Sequence, residues 1–360
     1  MLFALGKCSR LNRSPDQPRP PGFVLLAALI ATPHTLLAEL QVHFIDVGQG
    51  DAILLEAPAG NVLVDAGEPN GLARAFLKDR DIDRLDLAVA THAHFDHIGG
   101  FREILPEVVT EHVWYNGQVH TTQAFEAFAD ILLELDATYH EPARGEVAEF
   151  GDLRIEVFHP TGSAADYDGH LHDKSIVLRA VYGEVAVLLT GDAETVVEKE
   201  LIGAGLDLRA EVLKLGHHGS RTSTSADFVE AVGPALAIYK AGADNRYGHP
   251  HEEPLRVLDA AGVEVFGTGA HGTVTLTIDG ESIKVALERE GAEGVAHSCI
   301  DLNTAEPAAL NDIVHIDEVR AAKIVQNRSW GHVRELTRVR GIGNARLSDI
   351  KEQGLACVGP

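Results

Sequence analysis

With 360 residues, 45% hydrophobic and 23% charged, the chain has ordinary globular composition and enough length for one sizeable core plus a small second domain. Three cysteines are few, and the absence of any CxxC or Cys/His spacing excludes a zinc finger. The formal net charge of −24 is uneven: residues 1–38 carry four basic residues against one acidic, residues 39–297 carry 18 Lys and Arg against 45 Asp and Glu, and residues 298–360 carry eight of each. So acidic a body is soluble and repels polyanions at long range. It fits either adaptation to a salty medium, where charge is screened within about 8 Å or less, or a specific role for the acidity.

In chain order, a basic, Pro-rich stretch ends at Pro20-Pro21-Gly22 and is followed by an apolar run from Phe23 to Ala38, interrupted by Pro33 and His34. That run is short for a membrane span of about 20 residues and suits the apolar region of an export signal, with Ala38 as the cleavage position. A retained N-terminal anchor is the alternative, and no other segment is apolar enough to cross a bilayer. Export to a periplasmic or extracellular location is therefore expected. Beyond Leu40 the pattern is rich in strands: Gln41–Val47, Ala52–Glu56, Asn61–Val64, Leu85–Ala90, Ile155–Phe158, Ile176–Val181, Val185–Thr190, Val212–Leu215, Ala235–Tyr239 and Val274–Ile278. Helical stretches such as Leu72–Lys78, Thr195–Ile202 and Ala226–Ala231 lie between them. Strands alternate with helices yet often meet in hairpins, which implies a mixed sheet or pair of sheets flanked by helices. Residues 289–297 are small and polar and read as a linker between a body at 39–288 and a helical segment at 298–360.

The chemistry gathers at strand ends. Leu85–Ala90 leads directly into Thr91-His92-Ala93-His94-Phe95-Asp96-His97-Ile98-Gly99-Gly100. Three imidazoles and a carboxylate within six residues are costly to hold together without a cation, and these donors suit zinc, manganese or iron. Further donors end other strands: Asp192 after Val185–Thr190, His217 and His218 after Val212–Leu215, and His249 in Asn245-Arg246-Tyr247-Gly248-His249-Pro250. His172 sits just before Ile176–Val181. A carboxylate at Asp192 could bridge two cations.

The HxHxDH cluster, the preceding Val64-Asp65-Ala66-Gly67 and the later Thr190-Gly191-Asp192 resemble the metallo-β-lactamase superfamily. More narrowly, Phe44-Ile45-Asp46-Val47-Gly48-Gln49-Gly50-Asp51, Asp173-Lys174-Ser175-Ile176-Val177-Leu178, Leu213-Lys214-Leu215-Gly216-His217-His218-Gly219-Ser220 and the Asn245–Pro250 segment resemble the hydrolase domain of the competence protein ComEC. The resemblance covers roughly residues 40–280 and implies an α/β fold, a four-layer αββα sandwich with two metal ions at one edge. It implies that His92 and His94 bind the first metal, Asp96 and His97 the second, that Asp192 bridges them, and that His249 is the last ligand. The pair His217-His218 resembles a histidine that superfamily phosphodiesterases use near the scissile phosphate. At His172 the nearest relatives tend to carry Asn, which leaves the third ligand of the first metal open. The many membrane spans of full-length ComEC have no counterpart in this sequence, so the chain is not expected to be a transport channel itself. Two cations, zinc or manganese, about 3.5–4 Å apart would activate a water and clamp the attacking and leaving oxygens. Asp96, His217 or His218 could shuttle protons, and Asp65 is expected to orient a ligand histidine. Lys214 either neutralises phosphate charge or forms a structural salt bridge, and Ser220 and Ser223 either cap the following helix or contact substrate.

Residues 299–358 resemble the paired helix-hairpin-helix module of the DNA receptor ComEA, giving a small all-α second domain. Gly341-Ile342-Gly343-Asn344 allows a tight turn whose outward N–H groups can bind phosphate, and Arg334, Arg338, Arg340, Arg346 and Lys351 add charge that favours DNA. The DNA contacts are expected at Gly341, Gly343, Asn344, Arg340 and Arg346. The first hairpin has Val314-His315-Ile316-Asp317 instead, with Asp317 placing negative charge where phosphate should sit, so it is expected to be structural; a protein-docking role for the whole module is the alternative. Cys299 and Cys357 bracket the module, and an oxidising compartment would favour a disulfide between them. The leading reading is an exported metal-dependent phosphodiesterase or nuclease acting on DNA. Rival readings are a metallo-hydrolase of a small phosphoester, lipid or cell-wall substrate, and a non-enzymatic DNA-binding component of an uptake system.

Overall fold

A computed structural model describes residues 38–165, 169–289, 300–330, 332–353 and 356–358. The expected signal before Ala38, most of the linker and the Cys299–Cys357 pairing lie outside the described residues.

Fifteen strands of the main body are β1 (Leu40–Phe44), β2 (Ala52–Ala57), β3 (Gly60–Ala66), β4 (Arg84–Ala90), β5 (Val109–Tyr115), β6 (Thr138–His140), β7 (Val147–Phe150), β8 (Leu153–His159), β9 (Val177–Tyr182), β10 (Val185–Leu189), β11 (Val212–Lys214), β12 (Leu236–Tyr239), β13 (Glu264–Gly267), β14 (Val274–Ile278) and β15 (Ile283–Leu287). They form two sheets, ordered β15-β14-β1-β2-β3-β4-β5-β6 and β13-β12-β11-β10-β9-β8-β7. Antiparallel pairing puts Val42 opposite Leu55 across the β1–β2 hairpin and opposite Leu276 of the distant β14. The parallel parts, β3-β4-β5 and β10-β11-β12-β13, need helical crossovers. Central parallel strands are covered on both faces, which is why β10 reads Val-Ala-Val-Leu-Leu without a polar residue.

Three apolar layers account for the sandwich. Val42, Phe44, Leu55, Leu87, Val157, Leu178 and Val187 fill the space between the sheets. The outer face of the first sheet buries Leu54, Leu63, Leu85 and Ala88 against α1 (Leu72–Asp79), α2 (Phe95–Ile98), α3 (Phe101–Ile104) and α4 (Gln123–Glu134). The outer face of the second buries Leu188, Leu213 and Ala237 against α5 (Thr195–Gly203), α6 (Ala226–Val232) and α7 (Glu252–Ala261). Thr122 caps α4 by accepting from Phe125 N, and Gly262 ends α7 at a φ of 73°.

After a short helix α8 (Thr268–His271), the C-terminal module has its own core of Leu302, Leu310, Ile313, Ile324, Trp330, Leu336, Ile342 and Ile350. Its helices are α9 (Pro307–Leu310), α10 (Glu318–Gln326) and α11 (Asn344–Gln353), with a 3-10 turn at Val333–Arg338. A two-residue parallel pair, Ile300–Asp301 with Ala356–Cys357, joins its ends, adding a β element to the helices the sequence implied. The module rests on α7, where Arg256 Nη1 donates to Gln353 O at 3.2 Å. Asp317 caps α10 by accepting from Arg320 N at 2.9 Å and pairs with the Arg320 guanidinium, so the first hairpin spends this carboxylate on its own helix. No helix among the described residues is long and apolar enough to cross a membrane.

Candidate metal centre

The C-terminal ends of β4, β10, β11 and β12 open on one cleft of about 320 Å³, lined by His94, Asp96, His172, Asp192, His217, His218 and His249 among others. Open α/β sheets place ligands at such strand ends.

Two donor groups meet there. In the first, His92 Nε2 lies 2.8 Å and His172 Nε2 3.0 Å from His94 Nδ1, and both Nε2 atoms stand 3.6 Å from Asp192 Oδ2. In the second, His97 Nε2 is 3.3 Å from His218 Nε2 and 3.2 Å from Asp192 Oδ1, and His218 Nε2 is 3.2 Å from Asp96 Oδ2 and 3.5 Å from Asp192 Oδ2. Ligands at 2.0–2.1 Å around a tetrahedral cation stand about 3.3–3.4 Å apart, and both groups bracket that separation. Asp192 Oδ1 is buried with no hydrogen-bond partner among the described residues, the condition of a carboxylate oxygen free to coordinate. Four carboxylates, Asp51, Asp65, Asp96 and Asp192, converge on this region among the imidazoles, a set of donors suited to cations, and Lys214 pairs with Asp51. The residues present fit two metal ions.

The electrostatics agree. Burial alone would lower the His97 pKa, but Asp192 and Asp65 carry it well above the usual imidazole value. Burial is likewise outweighed at His218, pushed up to about 9 by Asp192 and Asp51. Asp192 is held well below the carboxylate range by His218 and His97 in spite of its burial. In the first group, burial and neighbouring rings lower His94 and His172 to about 4 and His92 well below its ordinary value. Neutral imidazoles are the ligating form.

His172, whose role the sequence left open, stands inside the first group. The second group contains His218, and His249, which the resemblance implied as the last ligand, stands outside it. His217 and His218 both take left-handed backbone, with φ of 44° and 57°, and this uncommon pair swings the His218 ring down into the donors. His249 stands behind it, its ring 6.0 Å from that of His218, lowered to about 4 by burial and His218. Its Nδ1 is buried and unpartnered among the described residues, while Asn245 locks its loop through His249 N and O at 2.9 and 2.6 Å.

Carboxylates behind the donors hold the rings. Asp65, at a φ of 57°, accepts from His97 Nδ1 at 2.7 Å and from Thr91 N and Oγ1 at 2.8 Å each. Asp51 Oδ1 lies 3.3 Å from His218 Nδ1, the ring nitrogen facing away from the donors. Glu194 Oε1 accepts from His217 Nδ1 at 2.9 Å, His172 Nδ1 at 3.3 Å and Thr222 Oγ1 at 2.7 Å. Neither Asp51 nor Glu194 was singled out from sequence; Glu194, two residues after Asp192, carried the better hint. Gly50, at a φ of 107°, lets the β1–β2 loop close on Asp96, since a Cβ there would lie 2.1 Å from Asp96 O.

Lys214 takes the second of its two expected roles, the structural salt bridge, and the two serines do not cap the following helix. Lys214 does not face the cleft: it is wholly buried, paired with Asp51 and donating to Gly191 O at 2.7 Å, so it cannot reach a phosphate. Ser220 and Ser223 do not cap α6, whose N-cap is Ser225. Ser223 Oγ donates to Gly216 O at 2.6 Å and Ser220 Oγ accepts from Thr222, bracing the histidine loop instead.

In the module, Gly341 turns at a φ of 96° and Arg346 Nη1 donates to its carbonyl at 2.8 Å. Arg340, Gly341, Gly343, Asn344 and Arg346 are all exposed around the start of α11.

Comparison with known proteins bears on this arrangement. The family model of the metallo-beta-lactamase superfamily matches residues 45–239, and that of the helix-hairpin-helix motif matches residues 295–353. The chain is 32% identical over 259 residues to ComE operon protein 3 of Bacillus subtilis (strain 168), covering 66% of this chain and 33% of that protein. It is 30% identical over 277 residues to competence protein ComA of Neisseria gonorrhoeae, covering 74% and 36%. A deoxyribonuclease of Thioalkalivibrio sp. (strain K90mix) is 41% identical over 90 residues, 25% of each chain. The chain thus spans about a third of the length of the two competence relatives.

Proposed function

The chain belongs to the metallo-beta-lactamase superfamily and is one of its hydrolases; from that premise we propose that it is an exported phosphodiesterase that uses two divalent metal ions to cleave DNA. The observation that carries the reading is Asp192, whose carboxylate faces both donor groups in one cleft of a chain that also holds a helix-hairpin-helix motif. We assign residues 39–288 to hydrolysis and 298–360 to a DNA tether through Arg340, Gly341, Gly343, Asn344 and Arg346. The export assignment rests on the basic and apolar N-terminal run.

His92, His94, His172 and Asp192 would hold one ion, and Asp96, His97, His218 and Asp192 the other. Zinc or manganese, when bound, supplies Lewis acidity and activates water as a nucleophile. Asp51 Oδ1 stands 3.3 Å from His218 Nδ1, and Asp65 fixes the His97 tautomer by accepting from its Nδ1, leaving the Nε2 lone pair for coordination. Glu194 does the same for His172 and steadies His217. His249 and His217 line the cleft without belonging to either group of four, and they are the groups placed to bind a phosphoryl oxygen or pass a proton to the leaving oxygen. Incubating the mature protein with single- and double-stranded DNA plus Mn²⁺, Zn²⁺ or EDTA tests the reading. Cleavage with a metal and none with EDTA is expected; hydrolysis confined to small phosphoesters would favour the rival substrate class, and no hydrolysis at all the non-enzymatic one.

A further inference from the structure

The Phe95 side chain has no part in the apolar cores. It stands between the donors His94 and Asp96, is 48% exposed and has no ring partner among the described residues. Neighbouring buried positions show what a structural aromatic looks like here: Phe101, six residues on, is 1% exposed and packs on Phe128. A bare phenyl ring at the lip of a polar cleft needs another reason.

A second exposed aromatic stands at the same lip. Tyr247, 47% exposed, lines the metal cleft together with Phe95, and both rings continue into an adjoining groove of about 1070 Å³. Tyr247 is stiffened. Its ring lies nearly parallel to His249 at 5.7 Å and 20°, and the Arg246 guanidinium sits 4.8 Å from its centroid while donating to its hydroxyl at 2.6 Å. The mouth therefore offers an exposed phenyl ring and an exposed Tyr247 ring held by Arg246 and His249, beside the donor groups.

Resting on the proposed reading of the chain as a DNA phosphodiesterase, we propose that Phe95 and the Arg246–Tyr247 pair grip an unpaired base beside the scissile phosphate, making single-stranded DNA the preferred substrate. Rings and guanidinium planes stack on any base, so such a grip is tolerant of sequence. In a duplex both faces of each base are already stacked, and exposing one costs a few kcal/mol. The donors also lie at the floor of the cleft, with His92 and His97 fully buried, so the backbone must descend to them. A single strand bends into such a cleft. It also carries about half the charge per unit length of a duplex past a strongly acidic body.

The test is a cycle between enzyme ring and substrate base. Full-length protein with Mn²⁺ is given a short single-stranded oligonucleotide, its abasic counterpart with the same sugar-phosphate backbone, and the duplex. Backbone contacts, including those of the C-terminal module, are common to the first two and cancel. Stacking of one base is worth about 5- to 100-fold. Wild-type protein should prefer the normal strand to the abasic one by that factor in kcat/KM. Phe95→Ala should lose the same factor on the normal strand and nothing further on the abasic one, and Phe95→Tyr should restore the preference. The Kd of the labelled strands in EDTA should show the same pattern. Phe95→Ala within twofold of wild type on the normal strand, or an equal loss on both strands, overturns the clamp while leaving the nuclease reading intact. Wild-type protein that cleaves and binds none of the three removes both.

Discussion

Replacing Lys214 by Met tests whether this lysine belongs to the scaffold or to the chemistry. Its ammonium has no exposed surface, donates to Gly191 O and pairs with Asp51, which is itself 1% exposed. Lys214 is the largest influence holding Asp51 down to about 2 against burial, with His218 next. Removing one partner of such a buried pair typically costs 3–5 kcal/mol, because the other charge stays behind unpaired. Lys214→Met should therefore lose about 3–5 kcal/mol in urea unfolding at pH 7, and adding Asp51→Asn should recover part of that loss. The pair is not isolated from the site, since Asp51 Oδ1 also lies 3.3 Å from His218 Nδ1. Loss of such a supporting contact costs about 10- to 100-fold in activity or metal affinity, so hydrolysis of a small phosphodiester should fall by that order and no more. A Lys214→Met protein within about 1 kcal/mol of wild type yet devoid of hydrolysis would mean that the ammonium meets the substrate, and the buried-pair account would be wrong.

Other expectations follow from the same geometry. Asp65→Ala should weaken metal binding by about 10- to 100-fold, read by titration calorimetry, because the His97 tautomer loses its acceptor. Lys240, buried with its ammonium on Ile45 O, is lowered from 10.5 to about 8, chiefly by burial. Between those values the unfolded chain binds the extra proton, so stability should rise with pH from about 8 to 10, and Lys240→Met should remove about 3 kcal/mol of that rise; identical pH profiles for the two proteins would contradict the assignment. Arg334→Ala with Arg340→Ala, both exposed, should weaken DNA binding for all sequences and reduce the salt slope by about 2, with small-substrate hydrolysis unchanged.

The parts of this molecule that were legible in sequence are those where one local pattern decides the outcome. Apolar runs ending in Gly, Asp or His announced β4 and β10 because strands covered on both faces cannot hide their composition. The donor-rich loop after β4 and the carboxylate after β10 were legible for the same reason. The place of His218 among the donors was not, because it turns on two consecutive left-handed residues that no composition rule anticipates for histidine. Asp51 and Lys214 meet across 163 positions of sequence, so only the folded sheet reveals that the lysine is spent on a buried carboxylate. The short strands β6 and β7 passed unnoticed, since both lie at sheet edges and carry exposed or half-buried residues throughout.

The central claim is that Asp192 joins two metal ions in one hydrolytic site. Counting metal per chain by plasma mass spectrometry, alongside DNA cleavage, in wild-type protein and Asp192→Asn tests it most directly. Two equivalents and metal-dependent cleavage are predicted for the wild type, and for a folded Asp192→Asn the loss of at least one equivalent together with cleavage. Near-normal turnover by Asp192→Asn with two metals still bound would contradict the account.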